Sequence, residues 1–331
     1  MEVAVKIPEP RAQRCYVIDD SSKVGEARRA AHTLANFEFD AALAGKVAIA
    51  ATELANNLLR HAGSGELLVQ TLDADECATI ELLAIDRGPG MTDIARCMAD
   101  GYSTAGTPGT GLGAVRRLAT EFDIYSVPGE GTIVMARFGA VNPLRYGAVN
   151  VAMPGEIVCG DAWHLVRDAN GLAVMVVDGL GHGTFAAEAA HACLTSFAGA
   201  PADAPRDILQ RANRAMSKTR GGAAAVAQVA ESSLTYAGIG NISGHLVYAG
   251  KSQGLMSHNG TLGLHQRAAQ QFQYNVPPGA LLIMHSDGVS ARWDLRQRPE
   301  LMRAHPAIIA GALYRDHGRN RDDATVVVIA V

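Results

Sequence analysis

The chain has 331 residues, 48% hydrophobic and 19% charged, with 35 glycines, enough for two ordinary domains and too apolar for a disordered chain. A net charge of -4 argues against a nucleic-acid-binding or membrane-surface protein. Five cysteines without a Cys-x-x-Cys pair, a start (Met1-Glu2-Val3-Ala4-Val5-Lys6) without an apolar leader, and no run of about 18 apolar residues disfavour a disulfide scaffold, a thiolate zinc site and a membrane span, and fit the cytoplasm.

Apolar residues at helical spacing predict helices over 23–37 and 41–60. Residues 66–72 and 78–85 read as strands around an acidic turn, 93–99 as a short helix, 101–111 as a Gly/Ser/Thr-rich loop and 112–121 as a helix. A hairpin of 122–127 with 132–138 turns at Pro128-Gly129-Glu130-Gly131. These elements predict an α/β sandwich with helices on one face of a mostly antiparallel sheet. Periodicity is lost from 139 to 150, so the expected domains are 1–140 and 151–331, with a linker at 141–150. Farther on, strands are expected at 156–166, 172–177, 223–229, 233–239, 244–249, 280–285 and 324–330. Helices at 184–197, 206–218 and 299–316 would pack outside them. The second domain is thus expected to be a β-sandwich flanked by helices, and the fold class α+β.

In the first half, Glu53 and Asn57 are four residues apart and share a helix face. An Asn oxygen suits Mg²⁺, and a Glu one turn away can orient or deprotonate an attacking hydroxyl. The strand ending at Ile85 runs into Asp86-Arg87-Gly88-Pro89-Gly90, where a carboxylate can accept from an exocyclic amine and glycines let a planar base approach. Gly109-Thr110-Gly111-Leu112-Gly113 precedes a helix whose free N–H groups suit phosphate. With Gly129 and Gly131-Thr132, the order and spacing resemble the N, G1, G2 and G3 boxes of the GHKL ATPases. That resemblance implies ATP with Mg²⁺: Glu53 as general base, Asn57 on the metal, Asp86 on adenine, and Gly88, Gly90, Gly109, Thr110, Gly111, Leu112, Gly113 and Thr132 around the nucleotide. Thr52-Glu53-Leu54-Ala55-Asn56-Asn57, Asp100-Gly101-Tyr102-Ser103-Thr104 and Arg116-Arg117-Leu118 narrow it to a group similar to anti-sigma serine kinases and stressosome switch kinases. Such kinases act on STAS-domain proteins. His32 lacks the acidic or proline neighbour of a phosphoacceptor histidine and reads as a partly buried surface residue.

In the second half, aspartates stand at the ends of apolar runs: Gly160-Asp161, Asp178-Gly179-Leu180-Gly181-His182-Gly183, Ser286-Asp287-Gly288 and Arg321-Asp322-Asp323-Ala324-Thr325. Carboxylates delivered from strand ends to one point hold hard divalent cations, and two such cations can activate a water against a phosphate ester. Asp178 is the candidate bridge, with the Gly179 carbonyl beside it. Asp287 and Asp322 would serve one metal and Asp161 the other, with Asp323 a ligand or a supporting acid. Cys159 is followed at the Cys-x5-Arg offset by Leu165, so thiolate phosphatase chemistry is not encoded. The order of these motifs resembles the PPM/PP2C phosphatases, in particular their SpoIIE-like branch, over roughly 151–331. Gly238-Ile239-Gly240-Asn241-Ile242 is similar to short stressosome feedback phosphatases of that branch. The resemblance implies two Mn²⁺ or Mg²⁺ and phosphoserine or phosphothreonine substrates. The phosphate-binding arginine of the eukaryotic enzymes has no clear counterpart; Arg167 and Arg321 are candidates, and His182 either touches phosphate or is structural. The expected function is a bifunctional signalling protein that phosphorylates and dephosphorylates a STAS-domain partner, in a sigma-factor or stressosome-like system. The alternative is a metal-dependent phosphatase whose ATP-binding half is a sensor or an anti-sigma-like docking module.

Overall fold

A computed structural model describes residues 13–74, 77–98, 111–168, 171–264 and 269–331. Contacts divide them into two units, Gln13–Arg145 with Arg303–Arg315, and Tyr146–Met302 with Asp316–Val331.

The first unit comprises β1 (Arg14–Ile18), α1 (Ser21–Glu38), α2 (Ala41–Asn57), β2 (Gly65–Ala74), β3 (Cys77–Ile85), α3 (Ile94–Cys97), α4 (Gly111–Leu118), β4 (Glu121–Val127) and β5 (Gly131–Gly139). Aspartates start the two long helices. Asp20 accepts from the Ser22 N–H at 2.6 Å and Asp40 from the Leu43 N–H at 2.8 Å, each satisfying a donor left free in the first turn. The strands pair antiparallel in the order β1-β2-β3-β5-β4. Alternate residues Ile80, Leu82 and Ala84 of β3 and Val134, Ala136 and Phe138 of β5 pack on the alanine-rich faces of α1 and α2. Small side chains there let helix and sheet backbones approach closely. The second predicted helix gives way at Leu58–Ala62 to a π-helical turn, and the helix predicted to 121 stops at Leu118, because Glu121 pairs with Arg137 as the first residue of β4.

The second unit contains β6 (Tyr146–Val151), β7 (Asp161–Asp168), β8 (Gly171–Gly179), α5 (Thr184–Ala198), α6 (Pro205–Ala215), β9 (Gly222–Ala230), β10 (Ser233–Ile239), β11 (Ser243–Tyr248), β12 (Lys251–Leu255), β13 (Phe272–Asn275), β14 (Leu281–His285) and β15 (Ala324–Ala330). Two antiparallel sheets form, β13-β10-β9-β8-β7 and β12-β11-β14-β15-β6, with α5 and α6 packed on the first through Cys193, Phe197, Ile208 and Leu209. The α+β, two-domain reading holds. The strand expected at 156–166 begins only at Asp161, after a turn-rich stretch. Residues 146–150, expected within the linker, belong to β6 (Tyr146–Val151), which pairs with β15. Every residue of β6 is buried, so the in–out alternation that announces a half-exposed strand is missing.

The helix expected at 299–316 is α7 (Pro306–His317), preceded by a separate turn at Leu301–Arg303. Proline has no N–H to donate and suits a helix start, hence the break. Through Arg315 this segment belongs to the first unit. A Cβ on Gly311 would lie 3.3–3.5 Å from Ile133, Leu83 and Ile85, so α7 covers the sheet face opposite α1 and α2. That face also holds a buried ionic group. Glu81 accepts from Gln70 at 2.6 Å and pairs with Arg137 at 2.7 Å, while the His305 N–H donates to Asp123 at 2.6 Å. No helix among the described residues is long and apolar enough to cross a membrane.

Candidate functional sites

In the second unit, strand register brings the predicted aspartates to one end of the sandwich. Asp161 opens β7 and Asp178 nears the end of β8, directly opposite one another. Asp287 follows β14 and Asp322 precedes β15, and these two strands pair antiparallel so that the same ends meet. Gly288 lies so close to the Asp323 carbonyl that no side chain fits. Asn241, quoted in a motif but given no role by the sequence, donates to Asp287 at 2.6 Å and to Asp178 at 3.3 Å. Its amide thus ties two of the acids together.

Like charges in a partly desolvated place resist ionisation. Burial, then Asp287 and Asp322, push Asp178 up to about 7. Burial and then Asp178 hold Asp161 well above the ordinary carboxylate range, and Asp322 is raised, mainly by burial. Asp161 Oδ2 is buried without a hydrogen-bond partner. Among the described residues no three His, Cys, Asp or Glu side chains stand in a ready metal-holding arrangement. The donor set nevertheless fits a hard divalent cation: it is all oxygen, mutually repelling, and includes an orphaned buried carboxylate oxygen. Gly179 lies against the Ala186 carbonyl with no room for a Cβ, so the backbone beside Asp178 stays bare.

Asp323 takes a different part. It is buried and accepts from the N–H groups of Met153 at 2.8 Å and Gly160 at 2.9 Å, which latches the loop leading to Asp161. His182 pairs with Glu156 at 2.6 Å. Of the two candidate arginines, Arg167 pairs with Leu172 toward the opposite end of β7 from Asp161, whereas Arg321 is exposed next to Asp322.

In the first unit, Glu53 and Asn57 face the start of α4. A Cβ on Gly111 would stand 3.3 Å from Glu53 Oε2 and 3.4 Å from Asn57 Oδ1. Asn57 Nδ2 is buried and unpartnered. Leu112 and Gly113 are buried in the same turn, while Gly109, Thr110 and the 100–104 motif lie outside the described residues.

Asp86 leaves β3 with Oδ1 accepting from the N–H groups of Gly88 at 2.8 Å and Thr132 at 3.1 Å; burial raises its pKa above the ordinary value. Three glycines allow this close packing. Gly88 touches Ala62 of the π turn, Gly90 (φ +66°) faces the Val127 carbonyl, and Gly131 (φ +101°) faces the Asp86 carbonyl. Thr132 Oγ1 is 2.9 Å from Ser126 Oγ, whose hydroxyl also accepts from the Met91 N–H at 2.8 Å. Arg315 of α7 donates to the Asp86 carbonyl at 3.4 Å. Nothing in the sequence near Asp86 foretells that contact, since Arg315 comes from far along the chain.

Residues 19–138 match the histidine kinase-like ATPase domain family, and 168–331 match the stage II sporulation protein E family. Over 91 residues the chain is 40% identical to the serine/threonine-protein kinase RsbT of Bacillus subtilis (strain 168), covering 28% of this chain and 68% of that protein. It is 26% identical over 153 residues to the phosphoserine phosphatase RsbX of the same organism, covering 41% of this chain and 70% of RsbX. A solved structure from work on the bacterial stressosome, a modular system adapted to control secondary messenger signalling, superposes with TM-score 0.53 at 27% identity, over 57% of this chain and 100% of that one. A structure of RsbX in complex with magnesium superposes with TM-score 0.51 at 24% identity, over 58% of this chain and 97% of that one; it bears on the fold alone.

Proposed function

Starting from a chain that belongs to the histidine kinase-like ATPase family over 19–138 and to the SpoIIE phosphatase family over 168–331, we propose one signalling protein with two opposed activities. The first unit transfers phosphate from ATP to a serine or threonine of a STAS-domain partner in a stressosome-like or sigma-factor switch, and the second removes it. The observation that carries the phosphatase reading is the meeting of Asp161, Asp178, Asp287 and Asp322 at one sandwich end, with Asn241 between two of them. A pair of Mn²⁺ or Mg²⁺ ions held there supplies charge neutralisation and a nucleophile at neutral pH. Asp178, Asp287, Asp322 and Asp161 would hold these ions, Asp178 shared between the two, Asp287 and Asp322 toward one and Asp161 toward the other. The bare backbone at Gly179 leaves its carbonyl available beside Asp178.

For the kinase, Glu53 would accept the proton of the partner hydroxyl and Asn57 would offer an oxygen to Mg²⁺. Asp86 recognises the adenine amine, with Gly88, Gly90 and Thr132 shaping the base pocket. Gly111, Leu112 and Gly113 at the start of α4 take the phosphates; Gly109 and Thr110 of the same motif lie outside the described residues. A protein serving only as a docking surface has no use for a base one turn from a metal ligand.

The test is phosphate transfer from labelled ATP to a purified STAS-domain protein, using Asp178→Asn so that product persists. Label on the partner that disappears on adding Glu53→Ala supports the kinase and its base. Absence of label despite measurable ATP binding leaves a phosphatase with a nucleotide-sensing half.

A further inference from the structure

An arginine that the motifs do not mark stands beside the loop that begins at Asp178. The β8–β9 register pairs Asp178 with Ala223 and Gly179 with Gly222, and the Leu180 N–H donates to the Gly221 carbonyl at 2.9 Å. One further step along this antiparallel pair sets Arg220 beside Gly181. A Cβ on Gly181 would lie 3.2 Å from Arg220 Nη1. The guanidinium lies over the Phe185 ring, 4.8 Å from its centroid, in the first turn of α5. Among the described residues no carboxylate pairs with it, although it stands next to a loop that begins at Asp178.

The stem that carries Arg220 is rigid. Thr219 Oγ1 donates to the Met216 carbonyl at 2.8 Å and accepts from the Gly221 N–H at 3.1 Å. Gly221 has φ +78° against the Leu262 carbonyl, and Gly222 lies against the Asp178 carbonyl. Fixed backbone, a stacking ring and an unpaired planar fork make a preorganised cation. Such a fork matches two oxygens of a phosphate. The rival Arg167 is six residues along β7 from Asp161, roughly 20 Å at strand rise.

On the phosphatase reading above, we propose that Arg220 binds the phosphoryl group of the substrate at the metal site, the role left unassigned by the sequence motifs. In the hydrolysis, water oxygen bonds to phosphorus as the phosphorus–serine oxygen bond breaks, giving free serine hydroxyl and orthophosphate. Arg220 keeps its proton throughout and balances phosphoryl charge, while Phe185 (60% exposed) and Leu180 (53% exposed) leave apolar surface open near it.

The test compares the full chain with Arg220→Ala, Arg220→Lys and Arg167→Ala in Mn²⁺, on p-nitrophenyl phosphate and a phosphoserine peptide. Mn²⁺ affinity is measured separately by electron paramagnetic resonance. Loss of a charge-assisted fork is expected to raise KM for both esters, and Ki for orthophosphate, by about 10- to 100-fold. Mn²⁺ affinity is expected to be unchanged, Lys to restore part of the loss, and Arg167→Ala to behave as wild type. Unaltered KM and Ki in Arg220→Ala, with wild type active, overturns the assignment alone. So does a KM rise confined to the peptide, or a loss explained by weaker Mn²⁺ binding. A wild-type chain that hydrolyses neither ester removes the phosphatase reading and this assignment with it.

Discussion

Replacing Asp178 by Asn should stabilise the metal-free second unit while abolishing its response to metal. Asp178 is raised from 3.8 to about 7, by burial first and then by Asp287 and Asp322. A carboxyl whose folded pKa lies above its unfolded value favours the folded state only while protonated. Its stabilising proton is in place at low pH and is lost as pH climbs from about 4 to about 7, so metal-free stability should fall over that window. At 1.36 kcal/mol per pKa step the penalty at pH 8 has a ceiling of about 4 kcal/mol, or a midpoint shift of up to about 10 °C for a domain of this size. Asn keeps an oxygen able to accept from Asn241 and carries no charge. The assay is scanning calorimetry in EDTA at pH 5 and pH 8, following the transition that Mn²⁺ shifts in wild type. The variant should melt higher than wild type at pH 8, by less than half that margin at pH 5, and no longer respond to Mn²⁺. A variant that melts lower at pH 8, or a wild type that gains metal-free stability as pH rises from 5 to 8, would refute the electrostatic reasoning.

Asp86→Asn should remove most ATP affinity, read by titration calorimetry, with hydrolysis of p-nitrophenyl phosphate intact; unchanged affinity sinks the adenine assignment. Gly131→Ala forces a Cβ into the Asp86 carbonyl at φ +101°, so it should weaken ATP binding and lower the melting temperature of the first unit. Glu81→Gln leaves the buried Arg137 without its 2.7 Å partner and should cost about 3–5 kcal/mol in urea unfolding of that unit; a loss below about 1 kcal/mol would mean that other groups already compensate the guanidinium.

Sequence by itself determined the placement of residues that stand at fixed short spacings or at strand ends. Glu53 and Asn57 share a face because helices repeat every 3.6 residues, and the Asp-Gly pairs declared themselves because apolar runs stop there. Tertiary structure decided whatever depends on partners distant in the chain. β6 hid as a linker because both its faces are buried, and Asn241 acquired a role only when β-sheet pairing carried it to Asp178 and Asp287. Asp323, adjacent to Asp322 and identical in type, became a loop latch because its side chain is buried against Met153 and Gly160. Arg315 reaches Asp86 from 229 positions away, and α7 counts among the helices of the first unit although its sequence lies among those of the second. Local periodicity reports what a residue needs from its immediate neighbours; it holds no record of which distant surface will bury it.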